Sequence, residues 1–269
     1  MTTISKASAP TGRLAPAKAE LTKQLLRLNA RELVRDRRYF IFAFVFPFGM
    51  LAVFLALGQL VPSGKGAPNF TQMVVPMALF LAVTSSALTT TAGPLAGMRD
   101  KGTLRLLGTT PVGRARFVLT HMAVRIVMVI CQLVLVLVIA VLIGAVNVAT
   151  APLLLAISLL GVVMFLAIGY LIGGRLRSAD AANNVATLVQ LSALFLSGLA
   201  FPLSLMPRTL ASVLSYLPTS FFANLLTMVM PTGAAMHSGL LSILVVVVTA
   251  AVFIALAIRT FRWDQGDDN

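Results

Sequence analysis

Long apolar runs alternate with short polar segments along this chain. Six such runs occur, at approximately 40–61, 71–97, 117–146, 152–174, 182–204 and 236–259. A helix that rises 1.5 Å per residue needs about 20 apolar residues to cross the hydrocarbon core of a bilayer. The pattern therefore predicts an all-α membrane protein with six transmembrane helices. The second and third runs exceed the minimum length, so we expect them to be tilted, to continue beyond the bilayer, or to kink at Pro76 or Pro94.

Residues 20–38, ahead of the first run, show a different pattern. Three leucines fall on one helical stripe: Leu21, Leu25 and Leu28. Three basic residues lie off that stripe: Lys23, Arg27 and Arg31. This spacing predicts an amphipathic helix in the cytoplasmic headgroup layer, with a soluble helix that merely leads into the membrane as the alternative. Residues 1–19 are rich in Ala, Pro, Ser and Lys, which predicts a mobile tail.

The segment between the fifth and sixth runs, residues 202–233, is apolar but cannot form one straight helix. Four prolines divide it: Pro202, Pro207, Pro218 and Pro231. Irregular backbone at membrane depth must be covered by protein or line a water-filled cavity. We therefore expect short, broken helices that re-enter the outer leaflet.

Composition and charge support a membrane location. The mean hydropathy is +0.95 and only 11% of residues are charged, whereas about 25% is usual for soluble domains. Lys and Arg concentrate on one side if both termini are cytoplasmic, with nine in the N-terminal segment and five in residues 98–116. The outer loops then hold only Lys65 and Arg208. The single cysteine, Cys131, excludes a disulfide framework and a thiolate metal site.

No arrangement of residues points to catalysis or nucleotide binding. His121 and His237 fall near opposite faces of the membrane in this topology, and no Asp or Glu lies within a predicted span. The string PSGKG at 62–66 lacks the first glycine and the Ser or Thr of a phosphate-binding loop. Gly93 with Gly97, and Gly169 with Gly173, are expected to allow close helix packing.

Arg125 lies inside the third span, where an arginine costs roughly 2.5 to 3.5 kcal/mol on insertion scales. Three explanations are open. The side chain snorkels to the inner interface, it makes an internal polar contact, or it lines a possible substrate path.

Residues 99–114, RDKGTLRLLGTTPVGR, interrupt the apolar pattern between the second and third spans. Leucines among the polar groups predict a short helix that ends near Gly108 and Pro111. The stretch MRDKGTLRLLGTTPV resembles the cytoplasmic loop of type-2 exporter permeases of the ATP-binding-cassette (ABC) superfamily. Residues 197–226, with Gly, then Phe-Pro, Met-Pro and Leu-Pro in order, are similar to the region after the fifth span of that family.

The resemblance implies a permease that pairs with a second permease, identical or related, and with separate cytoplasmic ATPase subunits. The transmembrane domain would be 39–260, with a coupling loop at 98–116 and a cytoplasmic tail at 261–269. The loop would form a coupling helix that seats in a groove of the ATPase. The residues to which this role is assigned are Arg99, Asp100, Lys101, Gly102, Thr103, Leu104, Arg105 and Leu106.

The same resemblance implies that ATP and Mg are bound by the partner ATPase and that this chain holds no cofactor. Nucleic acid is not an expected partner. The apolar spans favour export of an amphipathic, drug-like or lipid-linked substrate from the cytoplasm or inner leaflet, in a cytoplasmic membrane that is bacterial. A stand-alone secondary transporter and an intramembrane lipid-modifying enzyme are the alternatives.

Overall fold

A computed structural model describes residues 18–35, 45, 48–53, 56, 70–110, 112–201, 203, 206–230 and 235–261 of the chain. Residues 48–53 are helical. The helices that we number are α1 (Lys18–Arg35), α2 (Phe70–Asp100), α3 (Thr103–Gly108), α4 (Arg114–Leu142), α5 (Ala151–Arg175), α6 (Ala179–Leu196), α7 (Arg208–Ser215), α8 (Pro218–Met228) and α9 (Gly239–Thr260). No strand occurs in these ranges, so the predicted all-α class is confirmed.

Four of the described helices are long and apolar enough to cross a membrane, namely α2, α4, α5 and α9. The bent pair α7 and α8 counts as a fifth candidate if it forms one broken span. The 18-residue helix α6 is not among the four. The predicted first span, 40–61, lies largely outside the described residues, as do the tails 1–17 and 262–269.

Two predicted boundaries differ from the structure. The fifth run extends to 204, but α6 ends at Leu196 and Gly198 then adopts a left-handed φ of 82°. The third run extends to 146, but α4 ends at Leu142 and Gly144 adopts a φ of 71°. Glycine lacks a Cβ and enters this region easily, so an apolar run continues through the turn after the helix has stopped.

Helix α2 forms the centre of the bundle. Inside the molecule, 94% of its apolar stretch is buried, against 22% for α9. It is a single helix that contains both Pro76 and Pro94. Helices α4, α5 and α6 pack against α2, whereas α9 packs mainly against α5 and α8 at the outside of the bundle.

Small residues let α5 and α6 approach α2 closely, as the glycine pairs predicted. A Cβ on Gly173 would lie 2.5 Å from the Ala92 carbonyl oxygen of α2. A Cβ on Gly93 would lie 2.2 Å from the Asn183 side chain of α6. At Gly173 the two backbones are in direct contact, and at Gly93 the missing Cβ leaves space for the Asn183 side chain. Small residues at helix contacts are the usual basis of helix association in a membrane.

The helix ends gather into two groups. Arg99 at the end of α2 bonds to the end of α5, and the Phe261 ring lies 5.6 Å from the Phe117 ring near the start of α4. We call this group the basic end and define it by residues 99–114, 175–178 and 259–261. At the opposite end, Val229 and Met230 border the turn between α4 and α5.

Candidate functional site

Residues 101–113 join α2 to α4, and we call them the connector. The connector begins with a turn at Gly102. Lys101 N–H donates to the Gly97 carbonyl at 3.1 Å, and Gly102 N–H donates to the Arg99 carbonyl at 2.9 Å. Gly102 has a φ of 71°, a conformation that residues with a Cβ adopt only with strain. The turn ends α2 and starts α3 within two residues, so the predicted short helix is present and is joined to α2 without slack.

The leucines of α3 point in different directions. Leu104 is fully buried against the core of this chain, and Leu107 packs at the edge of the same core. Leu106 is 71% exposed, and Arg105 beside it is also exposed. One face of α3 is therefore anchored to the bundle while the other presents an apolar and a basic side chain outward.

Two threonines close the end of α3. The Thr109 hydroxyl donates to the Leu106 carbonyl at 2.8 Å, and the Thr110 hydroxyl donates to the Leu107 carbonyl at 2.6 Å. The last carbonyls of a helix lack α-helical partners, and here the backbone N–H and the hydroxyl of each threonine both donate to one of them. The Thr-Thr step of the quoted motif thus has a local structural role.

Arg99, in the last turn of α2, faces inward, unlike Asp100 and Lys101 that follow it. Only 6% of its surface is exposed. Its guanidinium donates to the carbonyls of Gly173, Gly174 and Leu176, at 3.2, 2.6 and 3.1 Å. Of the residues assigned to ATPase contact, Arg99 and Leu104 are thus occupied within the chain, whereas Asp100, Lys101, Arg105 and Leu106 are exposed.

Arg125 is the largest fully buried side chain among the described residues, with 1% exposure. Its Nε donates to the Thr90 carbonyl of α2 at 2.7 Å, and its Nη2 lies 3.9 Å from Glu32 Oε1. Glu32 belongs to α1 and also lies 3.6 Å from His121 Nε2. Of the three explanations for Arg125, these distances favour the internal polar contact.

The Glu32 carboxylate is ionised in this setting. Burial favours the neutral acid, but His121 and the positive charge of Arg125 outweigh that effect and lower the pKa of Glu32 below its ordinary value of 4.5. The negative charge missing from the spans is therefore supplied from outside them, by α1.

Helix α1 packs against α4 with a face that differs from the predicted one. Leu25, Asn29 and Leu33 are buried, whereas Leu28 is 47% exposed. The buried positions are spaced by four residues, one turn of helix. The α1 stripe thus includes a polar residue, and it meets α4 where His121 and Arg125 lie.

A line of buried polar side chains continues from this cluster along α4 and α2. On α4 they are His121, Arg125 and Gln132. On α2 they are Thr84, Ser85, Ser86, Thr89, Thr90 and Thr91. The His121 Nδ1 shares a hydrogen bond with the Tyr170 hydroxyl, and the Ser86 hydroxyl donates to Gln132 Oε1. Sequence reasoning missed this polar line, although the spacing of His121, Arg125 and Gln132 on one helical face was its visible signal.

The broken segment predicted at 202–233 contains two short helices, α7 and α8, which meet at 87°. Asn224 of α8 holds the start of α9: its amide nitrogen donates to the His237 carbonyl at 3.0 Å and to the Ser242 hydroxyl at 2.9 Å. Its amide oxygen accepts from Met236 N–H at 2.7 Å. His237 thus lies at the end of the bundle opposite His121.

A cavity of about 370 Å³ opens between α5, α6, α8 and α9. Its lining is mainly apolar and includes Phe165, Leu188 and Phe253, with hydroxyl groups on Ser192 and Thr249. Such a space has the size and chemistry of a small-molecule site.

Among the described residues, a short helix follows α2 within the first quoted motif, and the second contains the bend between α7 and α8. The model of a family described as ABC-2 family transporter protein matches residues 58–259, well over half of the chain. The chain belongs to the ABC-2 transporter family. Among proteins with curated descriptions, none matches it. The ABC-2 permease is thus a multi-pass membrane subunit of an ABC transport system, a class that works with an ATPase partner and generally lacks a nucleotide-binding domain of its own.

Proposed function

We propose that this ABC-2 permease is the membrane subunit of an exporter, and that a separate cytoplasmic ATPase drives it through α3. The observation that carries the proposal is the exposed face of the connector. Leu106 and Arg105 are exposed on α3, and Lys101 is exposed in the turn before it; Gly102 and Leu104 fix this helix to the bundle. An exposed leucine on a firmly anchored helix is typical of a docking surface and not of a solvated loop.

The proposed topology has six spans with both termini in the cytoplasm. Its support is the position of the described ends. The connector, the turn between α5 and α6 and the end of α9 all lie at the basic end. Because Lys and Arg are enriched in cytoplasmic loops, we place the basic end in the cytoplasm, in a membrane that we take to be the bacterial inner membrane.

The proposed mechanism is mechanical. The Leu106 side chain enters an apolar groove on the ATPase, while Lys101 and Arg105 meet acidic groups at the rim of that groove. ATP and Mg are held by the ATPase, and this chain supplies no cofactor site. Shifting a two-state equilibrium from 1:99 to 99:1 takes about 5.5 kcal/mol of differential binding, which only a firmly attached helix transmits.

The proposed substrate is amphipathic, drug-like or lipid-linked, and it enters from the cytoplasm or inner leaflet between this permease and a second one, identical or related. The apolar cavity beside α6, with its few hydroxyl groups, supports this class. Family membership favours this function over a stand-alone secondary transporter or a lipid-modifying enzyme.

Leu106→Asp tests the docking face, with Val148→Asp as the matched control. Both residues are 71% exposed, and Val148 lies in the turn between α4 and α5 at the opposite end. We expect Leu106→Asp to abolish copurification with the ATPase and ATP-driven transport, because a charge cannot enter an apolar groove unpaired. Val148→Asp should retain both.

The thermal unfolding midpoint of both variants should match that of the wild type, since neither side chain is buried. Equal copurification of Leu106→Asp and wild type would overturn the docking role. Transport by the purified permease without any ATPase would instead favour a secondary transporter.

A further inference from the structure

Arg99 lies in the last turn of α2, directly before the connector. Its guanidinium reaches across to the end of α5, where the carbonyls of Gly173, Gly174 and Leu176 accept from it. With 6% of its surface exposed, this contact is shielded from water. Arg99 therefore joins two helix ends that are more than 70 residues apart in the sequence.

The chemistry of this contact is specific for arginine. The last carbonyls of a helix lack partners within it and carry the negative end of the helix dipole. A guanidinium presents five N–H groups in a rigid plane, so one side chain satisfies several carbonyls at once. A lysine ammonium offers a single point of charge on a flexible stem and holds the three acceptors less firmly.

The helices around Arg99 are closely packed. Gly173, whose carbonyl accepts from Arg99, also lies against the backbone of Ala92 two turns earlier in α2, where an added Cβ would be 2.5 Å from the Ala92 carbonyl oxygen. On the other side of α2, a Cβ on Gly97 would lie 3.6 Å from the Ala179 Cβ at the start of α6. The end of α2 is thus in van der Waals reach of both sides of the turn between α5 and α6.

We infer that Arg99 is a positioning residue that makes the connector and the turn between α5 and α6 move as one body. A displacement of α3 then passes to α5 and α6 as well as to α2 and α4. The role in transport rests on the proposed function, whereas the rigid link belongs to the permease alone. Arg99 would therefore act inside the protein and not in the groove of the ATPase.

The link is tested first in the purified permease. Spin labels are attached at Leu106→Cys and Arg177→Cys in a Cys131→Ser background, because all of these positions are exposed. We expect Arg99→Met to broaden the distribution of distances between the two labels, and Arg99→Lys to broaden it less. The matched control is Arg175→Met, which removes an exposed charge from the end of α5 and should leave the distribution unchanged.

Thermal unfolding and gel filtration show whether each variant is folded. If Arg99→Met aggregates, Arg99→Lys carries the test because it keeps the charge. A folded Arg99 variant with the narrow distribution of the wild type would overturn the link, even if its unfolding midpoint has fallen.

The second measurement uses the permease reconstituted with its ATPase. We expect Arg99→Met to copurify with the ATPase normally but to transport several-fold less substrate per ATP hydrolysed. Unchanged transport per ATP would overturn the role of Arg99 while leaving docking intact. Failure of the wild type to bind any ATPase would instead refute the proposed function, and the spin-label result would still decide the link.

Discussion

Arg125 carries a full charge in the interior of α4, and Glu32 on a different helix neutralises it. The two side chains differ in exposure, at 1% for Arg125 and 28% for Glu32. Removing one partner of a buried pair leaves the other charge uncompensated, which is far more costly for the deeper group. The pair is therefore asymmetric, and its two halves should respond differently to substitution.

Glu32→Gln should destabilise the permease more than Arg125→Met does. We expect a loss towards the lower end of about 3–5 kcal/mol for Glu32→Gln, because the Arg125 charge stays buried. In Arg125→Met, water reaches the remaining carboxylate. Thermal unfolding in detergent measures both, and the double variant should lose less than the sum of the single variants.

Glu20→Gln provides the control, since Glu20 is exposed on the same helix. The pH dependence checks the cause. A carboxyl whose pKa is lowered in the folded protein stabilises it fully above the unfolded value, and the contribution fades as the pH falls through the folded value. The difference between wild type and Glu32→Gln should therefore persist above pH 4.5 and shrink below it. A difference that is independent of pH would contradict the ion pair.

At the scale of helices, Gly173 and Gly174 of α5 distinguish the effect of close helix packing from the effect of helix propensity. A Cβ on Gly173 would lie 2.5 Å from the Ala92 carbonyl oxygen, whereas a Cβ on Gly174 would meet nothing within 4 Å. Backbone atoms cannot rotate away as a flexible side chain can. The contact between α2 and α5 thus depends on the first glycine and not on the second.

Gly173→Ala should lower stability by about 1–3 kcal/mol, because it forces α2 and α5 apart. Gly174→Ala should leave stability unchanged or raise it by up to about 1 kcal/mol, the helix-propensity gain over glycine. Thermal unfolding of the two variants measures the difference. Similar midpoints would show that the two helices are not held in direct backbone contact.

The helices that sequence could predict are those with strong apolar runs or strong breaks. α5 and the connector helix follow the prediction closely, and the prolines mark the bend between α7 and α8. The face of α1 was not predictable in the same way. Apolarity favours Leu28, but the structure buries Asn29. Asn29 is buried because α1 packs against α4 with the side that brings Glu32 to His121 and Arg125, and only the tertiary structure shows that contact.

The partners of Arg99 and Arg125 were beyond sequence reasoning for a related reason. Each arginine is a charged residue at or within an apolar helix, and the sequence alone shows this. Its acceptors lie on other helices, and their register depends on close backbone packing at glycines such as Gly173. Sequence thus reveals that a charge needs a partner but not where the partner is.

At the scale of the whole molecule, the basic end and the opposite end give two surfaces of different charge. Arg175 ends α5 and Arg177 lies in the turn that follows, whereas the turn between α4 and α5 carries no charged residue. Positive charge is retained on the cytoplasmic side during insertion. The orientation of the bundle is therefore open to a direct chemical test.

Single cysteines at Arg177 and Val148 in a Cys131→Ser background should react differently with a membrane-impermeant thiol reagent. We expect Val148→Cys to react in intact cells and Arg177→Cys to react only after permeabilisation. Both positions are exposed, so access to the reagent depends only on the side of the membrane. Efficient labelling of Arg177→Cys in intact cells would reverse the orientation and remove α3 from reach of a cytoplasmic ATPase.

The position of Glu32 also bears on how the chain is made. Ribosomes work from the N-terminus, so the counter-ion emerges before the α4 segment whose Arg125 it neutralises. α1 has therefore been synthesised before that segment enters the bilayer. A truncated gene that starts at the first apolar run would lack α1. The cell would then have to insert Arg125 without the Glu32 carboxylate that neutralises it.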